Sequence, residues 1–185
     1  MHNETDDPTG RGGAVVNALT VDVEDYFQVS ALAPNIPRDT WDQRPCRVER
    51  NVSRLLEMFE RRGVHATFFT LGWVAERYPQ LVRDIVAGGP ELASHGYSHL
   101  RATEQSRAEF LDDIHRAKGL LEDLGGRPVI GYRAPSFSID ARNEWAFDCL
   151  QRAGYRYSSS VYPVRHDHYG MPDASRVRYA PRAGL

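Results

Sequence analysis

The chain has 185 residues, 41% of them hydrophobic, and this size suits one globular domain with its own core. The 23 Lys and Arg residues nearly balance the 25 Asp and Glu residues, so the formal net charge of −2 gives no electrostatic reason to expect a nucleic acid or an anionic membrane as partner. No apolar run approaches the ~20 residues that a membrane-spanning helix needs. The two cysteines, Cys46 and Cys149, lie far apart, which argues against a disulfide framework and fits a reducing compartment.

The chain begins with the polar, acidic and glycine-rich segment "MHNETDDPTGRGGAVVN". We predict that residues 1–17 form a disordered leader and that one domain occupies residues 18–185. The segment lacks the positively charged start and the apolar centre of a signal peptide, so we expect a cytoplasmic location.

After this leader, strand patterns alternate with amphipathic helix patterns. The predicted strands are "ALTVDVE", "HATFFTLG", "ELAS", "PVIGYRAP" and "YRYSS". The predicted helices are "VERNVSRLLEMFERRG", "YPQLVRDIVAGG", "AEFLDDIHRAKGLLEDLGG" and "NEWAFDCLQRAG". Repeated β–α units predict an α/β fold with a parallel sheet, which is either open or barrel-like. In both arrangements, functional groups gather at the carboxyl ends of the strands.

Charged and polar residues lie at the ends of four of these predicted strands. A parallel sheet would bring them together at its carboxyl edge. They are Asp22, Glu24 and Asp25 after the first strand, His95 and His99 after the third, Arg133 after the fourth, and Ser158, Ser159 and Ser160 after the fifth.

The pair His95 and His99, with the nearby carboxylates, suggests a divalent metal site, most simply for Zn²⁺. A lone H-x-x-x-H pattern is about as often two ordinary surface histidines. The position of His95 directly after a strand favours the metal, and a helical turn after it would aim both imidazoles at one ion. Glu24 shares a face with Asp22 if the first strand continues, whereas Asp25 reaches the metal if the chain turns there. Both therefore remain candidate ligands.

Four segments in this order, "ALTVDVEDYF", "ATFFTLG", "ELASHGYSH" and "GYRAPSFSI", resemble the polysaccharide deacetylases of carbohydrate esterase family four, the NodB-homology group. The segments "DVEDYFQVSAL" and "YPVRHDHYGMP" further resemble the subgroup linked with exosortase and exopolysaccharide gene clusters. The similarity covers residues 18–181, and several ordered motifs make it more specific than any one of them.

This resemblance implies an irregular (β/α) barrel, and the five predicted strands leave that barrel incomplete at its C-terminal side. It implies metal-dependent removal of acetyl groups from an N-acetylated polysaccharide or oligosaccharide. By the same resemblance, Asp22 is the general base, His95 and His99 bind the metal, Arg133 orients the base, and the Ser136 N–H donates to the oxyanion. The oligomeric state stays open.

The chain departs from the family pattern in two places. Relatives usually carry an aspartate where this chain has Ser158, and the late motif that supplies a histidine as general acid would lie beyond Leu185, so we expect the chain to be truncated at its C-terminus. We interpret His166 and His168 as loop histidines rather than as that acid. Two alternatives therefore remain: a non-catalytic carbohydrate-binding relic of the fold, and a metal-free amidohydrolase of the allantoinase type. The intact histidine pair weighs against the second.

Overall fold

The computed structural model describes residues 17–181. The predicted leader falls on residues 1–16, apart from its last position, and so lies outside the described residues. Five parallel strands form one sheet. They are β1 (Thr20–Val23), β2 (Thr67–Thr70), β3 (Glu91–Ser94), β4 (Gly131–Tyr132) and β5 (Tyr157–Ser158).

Five α-helices connect or flank these strands: α1 (Val48–Arg62), α2 (Gly72–Arg77), α3 (Pro79–Ala87), α4 (Arg107–Gly125) and α5 (Trp145–Arg152). Short 3-10 helices span Tyr26–Gln28, Ser30–Leu32, Arg38–Gln43, Ala102–Glu104 and Pro135–Phe137. None of the helices within residues 17–181 is long and apolar enough to cross a membrane.

The strands are neighbours in the order in which they occur along the chain, β1-β2-β3-β4-β5. An open doubly wound sheet reverses its strand order at a switch point, whereas a (β/α) barrel adds each strand beside the previous one. The winding is therefore that of a barrel, and the predicted fold class is confirmed. Among the described residues, β1 and β5 form the two edges, so the sheet is an open arc of this barrel.

The core lies between the sheet and α1–α5, and its largest apolar side chains are almost wholly buried. They include Phe68, Val82, Ile85, Leu92, Phe110, Ile114 and Leu121. Successive side chains of a strand point to opposite faces. Phe68 accordingly joins this core, while Phe69 contacts Arg133 on the other face of β2. The helices thus cover one face of the sheet, and the other face contributes to the site.

Most predicted elements are confirmed, with boundaries that differ by a few residues. The strand β3 matches its prediction, and α1 ends before Gly63, which has the left-handed φ of 60° typical of a residue just past a helix. The structure corrects the prediction in two respects. The strands β4 and β5 each have two residues, and a helix begins at Gly72, where the sequence pattern predicted the end of a strand.

Tertiary contacts explain the unexpected helix α2. Its first N–H groups, which have no partner inside a helix, donate to a neighbouring loop: Gly72 N–H to Gly96 O at 2.8 Å and Trp73 N–H to Tyr97 O at 3.0 Å. A Cβ on Gly72 would lie 2.9 Å from the Tyr97 Cα, so only glycine permits this approach. The start of α2 therefore supports the loop that follows β3.

Substitution of Gly72 with alanine should destabilise the fold by about 1–3 kcal/mol, because the new methyl group overlaps backbone that cannot easily move. Gly119→Ala in α4 is the matched control, since a Cβ there meets nothing within 4 Å and alanine is the better helix former. Urea unfolding of both variants checks the prediction. A Gly72→Ala midpoint equal to that of the unsubstituted chain would contradict it.

Candidate active site

The site lies at the carboxyl edge of the sheet, where residues that directly follow four strands meet. Glu24 follows β1, His95 follows β3, Arg133 follows β4 and Ser159 follows β5. Asp22 projects from within β1. The strand ends are close because neighbouring strands pair in register, so the sheet itself sets the spacing of these side chains.

Three of the predicted metal ligands form one cluster. Ligand atoms of Glu24, His95 and His99 all lie within 4.8 Å of one another. The Glu24 Oε2 atom is 2.6 Å from His99 Nε2 and 3.7 Å from His95 Nε2. This oxygen is buried, yet it has no hydrogen bond of acceptable geometry among the described residues. A buried carboxylate oxygen that faces two imidazole nitrogens fits a divalent metal with two nitrogen ligands and one oxygen ligand.

The protonation states of this cluster also suit a metal. His95 Nδ1 is 2.8 Å from the Arg133 carbonyl oxygen, which can only accept, so Nδ1–H donates and the Nε2 lone pair faces Glu24. Burial lowers the pKa of the His95 imidazole and outweighs the opposing carboxylates of Asp22 and Glu24. Burial disfavours ionisation of Glu24, but the facing imidazoles of His99 and His95 hold the pKa of that carboxyl below its usual value. Both shifts favour the forms that bind a cation.

The alternative ligand Asp25 lies outside the cluster. Its carboxylate accepts from the backbone N–H groups of Tyr26 and Arg47, and its own N–H donates to Gln28 Oε1 at 2.8 Å. Asp25 thereby caps the 3-10 helix Tyr26–Gln28, and its oxygens are already paired. Of the two carboxylates that the sequence left open, Glu24 therefore joins the histidines.

The segment between the two histidines is a bent loop and not the helical turn that would also have aimed both imidazoles at one ion. Residues 95–99 have no helical assignment, and both Gly96 and His99 have positive φ, at 75° and 54°. A non-glycine residue with this φ is uncommon and costs conformational energy. The imidazoles meet through this bent loop, and their ring centroids are 5.3 Å apart.

Asp22 forms an ion pair with Arg133, whose Nη1 donates to Asp22 Oδ1 at 2.6 Å. Two further hydrogen bonds fix the guanidinium: Nε donates to Ser159 O at 3.2 Å, and Nη2 donates to Ser159 Oγ at 2.8 Å. The guanidinium also lies 4.2 Å from the ring centroid of Phe69. Ser158 is not among these partners, and its hydroxyl instead pairs with Ser160 Oγ at 2.6 Å. Arg133 is thus held in place to orient the Asp22 carboxylate.

Asp22 lines a cavity of about 540 Å³ together with Glu24, His95 and His99, which we call the metal-ligand cluster. Ser136 lies on the same wall, and its hydroxyl is 2.6 Å from Ser30 Oγ. Ser136 and the following Phe137 have φ of 54° and 49°. With His99, these are the non-glycine residues of the described chain that have positive φ, and all three line this cavity. Such local strain is typical of functional sites.

The structure also places His166 and His168 at the cavity. Both belong to a loop, as the sequence indicated, and both line the cavity that holds Asp22 and the metal-ligand cluster. The sequence alone did not connect this loop with the site. The motif "YPVRHDHYGMP", which contains both histidines, was the feature that could have done so.

The same region of the chain matches a known protein family. The sequence model of the polysaccharide deacetylase family matches residues 39–158, which is more than half of the 185 residues. The chain belongs to the polysaccharide deacetylase family. The match includes His95, His99, Arg133 and Ser136, whereas Asp22 precedes it.

Individual polysaccharide deacetylases are similar over part of their length. A peptidoglycan deacetylase-like protein of Gibberella zeae is 33% identical over 112 residues, which is 60% of this chain and 32% of that protein. A peptidoglycan-N-acetylglucosamine deacetylase of Bacillus cereus is 29% identical over 103 residues, which is 56% of this chain and 46% of that protein. The chain thus spans between about a third and a half of the length of these curated relatives.

Solved structures of this family share the fold. A Mycobacterium smegmatis protein assigned to the polysaccharide deacetylases has a TM-score of 0.65 at 28% identity, covering 78% of this chain and 50% of that chain. A carbohydrate esterase family 4 pseudoenzyme from Bacillus anthracis has a TM-score of 0.59 at 19% identity, covering 75% of this chain and 40% of that chain. The second likeness shows the fold alone.

Asp113 supports the metal-ligand cluster, although no sequence pattern singled it out. Its Oδ2 accepts from the Tyr97 N–H at 2.8 Å, and its Oδ1 accepts from the Ser98 N–H at 3.0 Å. It thereby holds the loop between His95 and His99 from the side of α4. The contact spans 16 positions along the chain, which is why local patterns do not reveal it.

Asp113→Ala should weaken divalent-metal binding about 10- to 100-fold, the usual cost of removing a group that orients metal ligands. The reason is that two backbone N–H groups of the histidine loop lose their acceptor. Zn²⁺ titration with a competing chelator measures the change. Asp112→Ala, at the exposed neighbouring position of α4, is the control. Equal affinities in the two variants would show that Asp113 does not position the loop.

Proposed function

We propose that this cavity catalyses the hydrolytic removal of acetyl groups from an N-acetylated amino-sugar polysaccharide, with Zn²⁺ as the metal. One observation carries the proposal: two imidazoles and one carboxylate lie beside the Asp22–Arg133 pair at the carboxyl edge of the sheet. The chain that holds them belongs to the polysaccharide deacetylase family. Two nitrogen ligands and one oxygen ligand suit zinc better than magnesium or calcium. The peptidoglycan N-acetylglucosamine in the name of the Bacillus cereus relative supports the substrate class.

Glu24, His95 and His99 would hold the metal, which when bound acidifies water and polarises the amide carbonyl. The residues of the chain supply the remaining functions. Asp22 accepts the proton of the attacking water, because its carboxylate lines the cavity and Arg133 fixes its orientation. The Ser136 N–H, at the strained turn on the cavity wall, donates to the carbonyl oxygen as negative charge develops there.

The leaving amine needs a proton when the C–N bond breaks. The described cavity offers two sources: the proton that Asp22 has accepted, and the imidazoles of His166 and His168. The loop that carries His166 and His168 therefore brings two imidazole groups to the cavity.

Zinc content and acetate release, measured together, test the proposal. The purified chain is loaded with Zn²⁺, dialysed and incubated with an N-acetylglucosamine oligomer, and free acetate is measured. One bound zinc with acetate release supports the proposed deacetylase. Bound zinc with no release from any N-acetylated oligomer would favour the non-catalytic carbohydrate-binding alternative. Release that persists after zinc removal by a chelator would favour a metal-free amidohydrolase.

A further inference from the structure

Residues 162–171, which we call the strap, form one wall of the cavity and present aromatic rings to it. We propose that the strap is a sugar-binding wall, which holds the pyranose ring that carries the scissile acetamido group, or the ring next to it. This inference rests on the proposed function, because it names the part of the site that recognises the sugar. The strap follows β5 and lies outside residues 39–158, the part of the chain that matches the family.

The strap has a defined backbone structure. Its two ends meet, because the N–H groups of Val164 and Met171 both donate to Tyr162 O, at 2.9 and 2.8 Å. Nearer the tip, His166 N–H donates to Tyr169 O at 3.1 Å. These hydrogen bonds close the segment on itself, so its side chains have fixed places relative to one another.

Two further contacts fix the strap against the rest of the chain. The Arg101 guanidinium donates to the His168 carbonyl oxygen, and Arg101 also lines the cavity. Gly170 has a φ of 125°, and a Cβ there would lie 2.2 Å from Val164 O. Only glycine allows the strap to return on itself at this position.

The rings of the strap form one aromatic group with Phe137. The His166 and Tyr169 rings stack with their centroids 4.1 Å apart and their planes 10° apart. Tyr162 packs edge-on against Tyr169 at 5.2 Å, and Phe137 lies 5.7 Å from the same ring. Mutual packing of four rings limits the entropy that any of them would lose on binding a ligand.

The cavity lining combines the two kinds of surface that a sugar ring requires. A pyranose has apolar C–H faces, which pack on flat aromatic rings, and a polar rim of hydroxyl and acetamido groups. Phe137, His166 and Tyr169 line the cavity together with the charged groups around Asp22. The side chains of Val29, Ala31 and Pro34 add apolar surface to the lining. A sugar packed on the strap would thus have its acetamido group within the same cavity as the metal-ligand cluster.

The test measures sugar binding without turnover. Asp22→Asn serves as the reference chain, loaded with Zn²⁺, and calorimetry gives its Kd for an N-acetylglucosamine tetramer. Adding Tyr169→Leu or His166→Ala should raise this Kd about tenfold, the size of effect expected for one lost aromatic contact in a buried site. Tyr179→Leu is the control, since Tyr179 is 43% exposed and lies outside this cavity. Zinc content should stay unchanged in all variants, and thermal unfolding shows whether each variant is folded at the temperature of the binding measurement.

Gly170→Ala provides a second test, because it displaces the strap backbone without removing a ring. It should raise the Kd at least as much as Tyr169→Leu, with zinc content retained. A Kd that changes less than about twofold in all three strap variants would overturn the proposal. So would the absence of tetramer binding by a folded, zinc-loaded reference chain. Acetate release by the unsubstituted chain, with an unchanged KM in Tyr169→Leu, would reject the sugar-binding wall and leave the deacetylase function standing.

Discussion

Replacement of both His95 and His99 with alanine should abolish stoichiometric Zn²⁺ binding. The variant retains only the Glu24 carboxylate of the three clustered ligands, and a single carboxylate in water does not hold zinc against dialysis. Because the proposed reaction requires a bound metal to activate water, acetate release should fall to the background rate as well. The measurement is metal content by elemental analysis after zinc loading and dialysis, with acetate release assayed on the same sample.

The control is the double variant His65→Ala and His115→Ala, which removes two exposed imidazoles outside the cavity. This variant should keep one zinc per chain. Circular dichroism of both variants checks that each is folded. If the folded variant without His95 and His99 still binds one zinc, then Glu24, His95 and His99 do not form the metal site.

Asp22→Asn should separate catalysis from metal binding. Asparagine keeps the shape of the side chain but cannot accept the proton of water, so the rate of acetate release should fall about 10²–10⁴-fold, the usual contribution of an acid–base group. Zinc affinity should change little, because Asp22 pairs with Arg133 and is not one of the three clustered ligands. Initial rates and zinc titration of the same preparation measure both effects.

Asp112→Asn, at an exposed position of α4, is the matched control and should keep the full rate. If Asp22→Asn loses zinc together with activity, Asp22 belongs among the metal ligands. If the rate is unchanged, another group accepts the proton and the role assigned to Asp22 is wrong.

The position of the site could be predicted from the sequence because the ends of the apolar runs mark the ends of the strands. Apolar runs that stop at Asp22, His95 and Arg133 place these residues at one edge of any parallel sheet. The pairing of Arg133 with Asp22, which are 111 positions apart, follows from that arrangement and from the resemblance to a known family. Cytoplasmic location and the link with the exosortase subgroup stay predictions.

Other features of the site depend on contacts that no local pattern encodes. The exclusion of Asp25 rests on the backbone N–H of Arg47, which lies 22 positions further along the chain. The bent loop before His99 depends on Asp113 in α4 and on the first N–H groups of α2. These tertiary contacts, rather than a helical turn after His95, bring the two imidazoles together.

The strand order has a consequence for how the site holds together. Within the described residues, β1 pairs only with β2 and is an edge strand, whereas β3 is central. Edge strands fray more readily than central ones, and fraying of β1 would carry both Asp22 and Glu24 away from the imidazoles. An ion bound by Glu24, His95 and His99 would link the end of the edge strand β1 to the end of the central strand β3. Zinc should therefore slow amide hydrogen exchange in β1 more than in β3, because a bound ion would hold Asp22 and Glu24 in place beside the imidazoles.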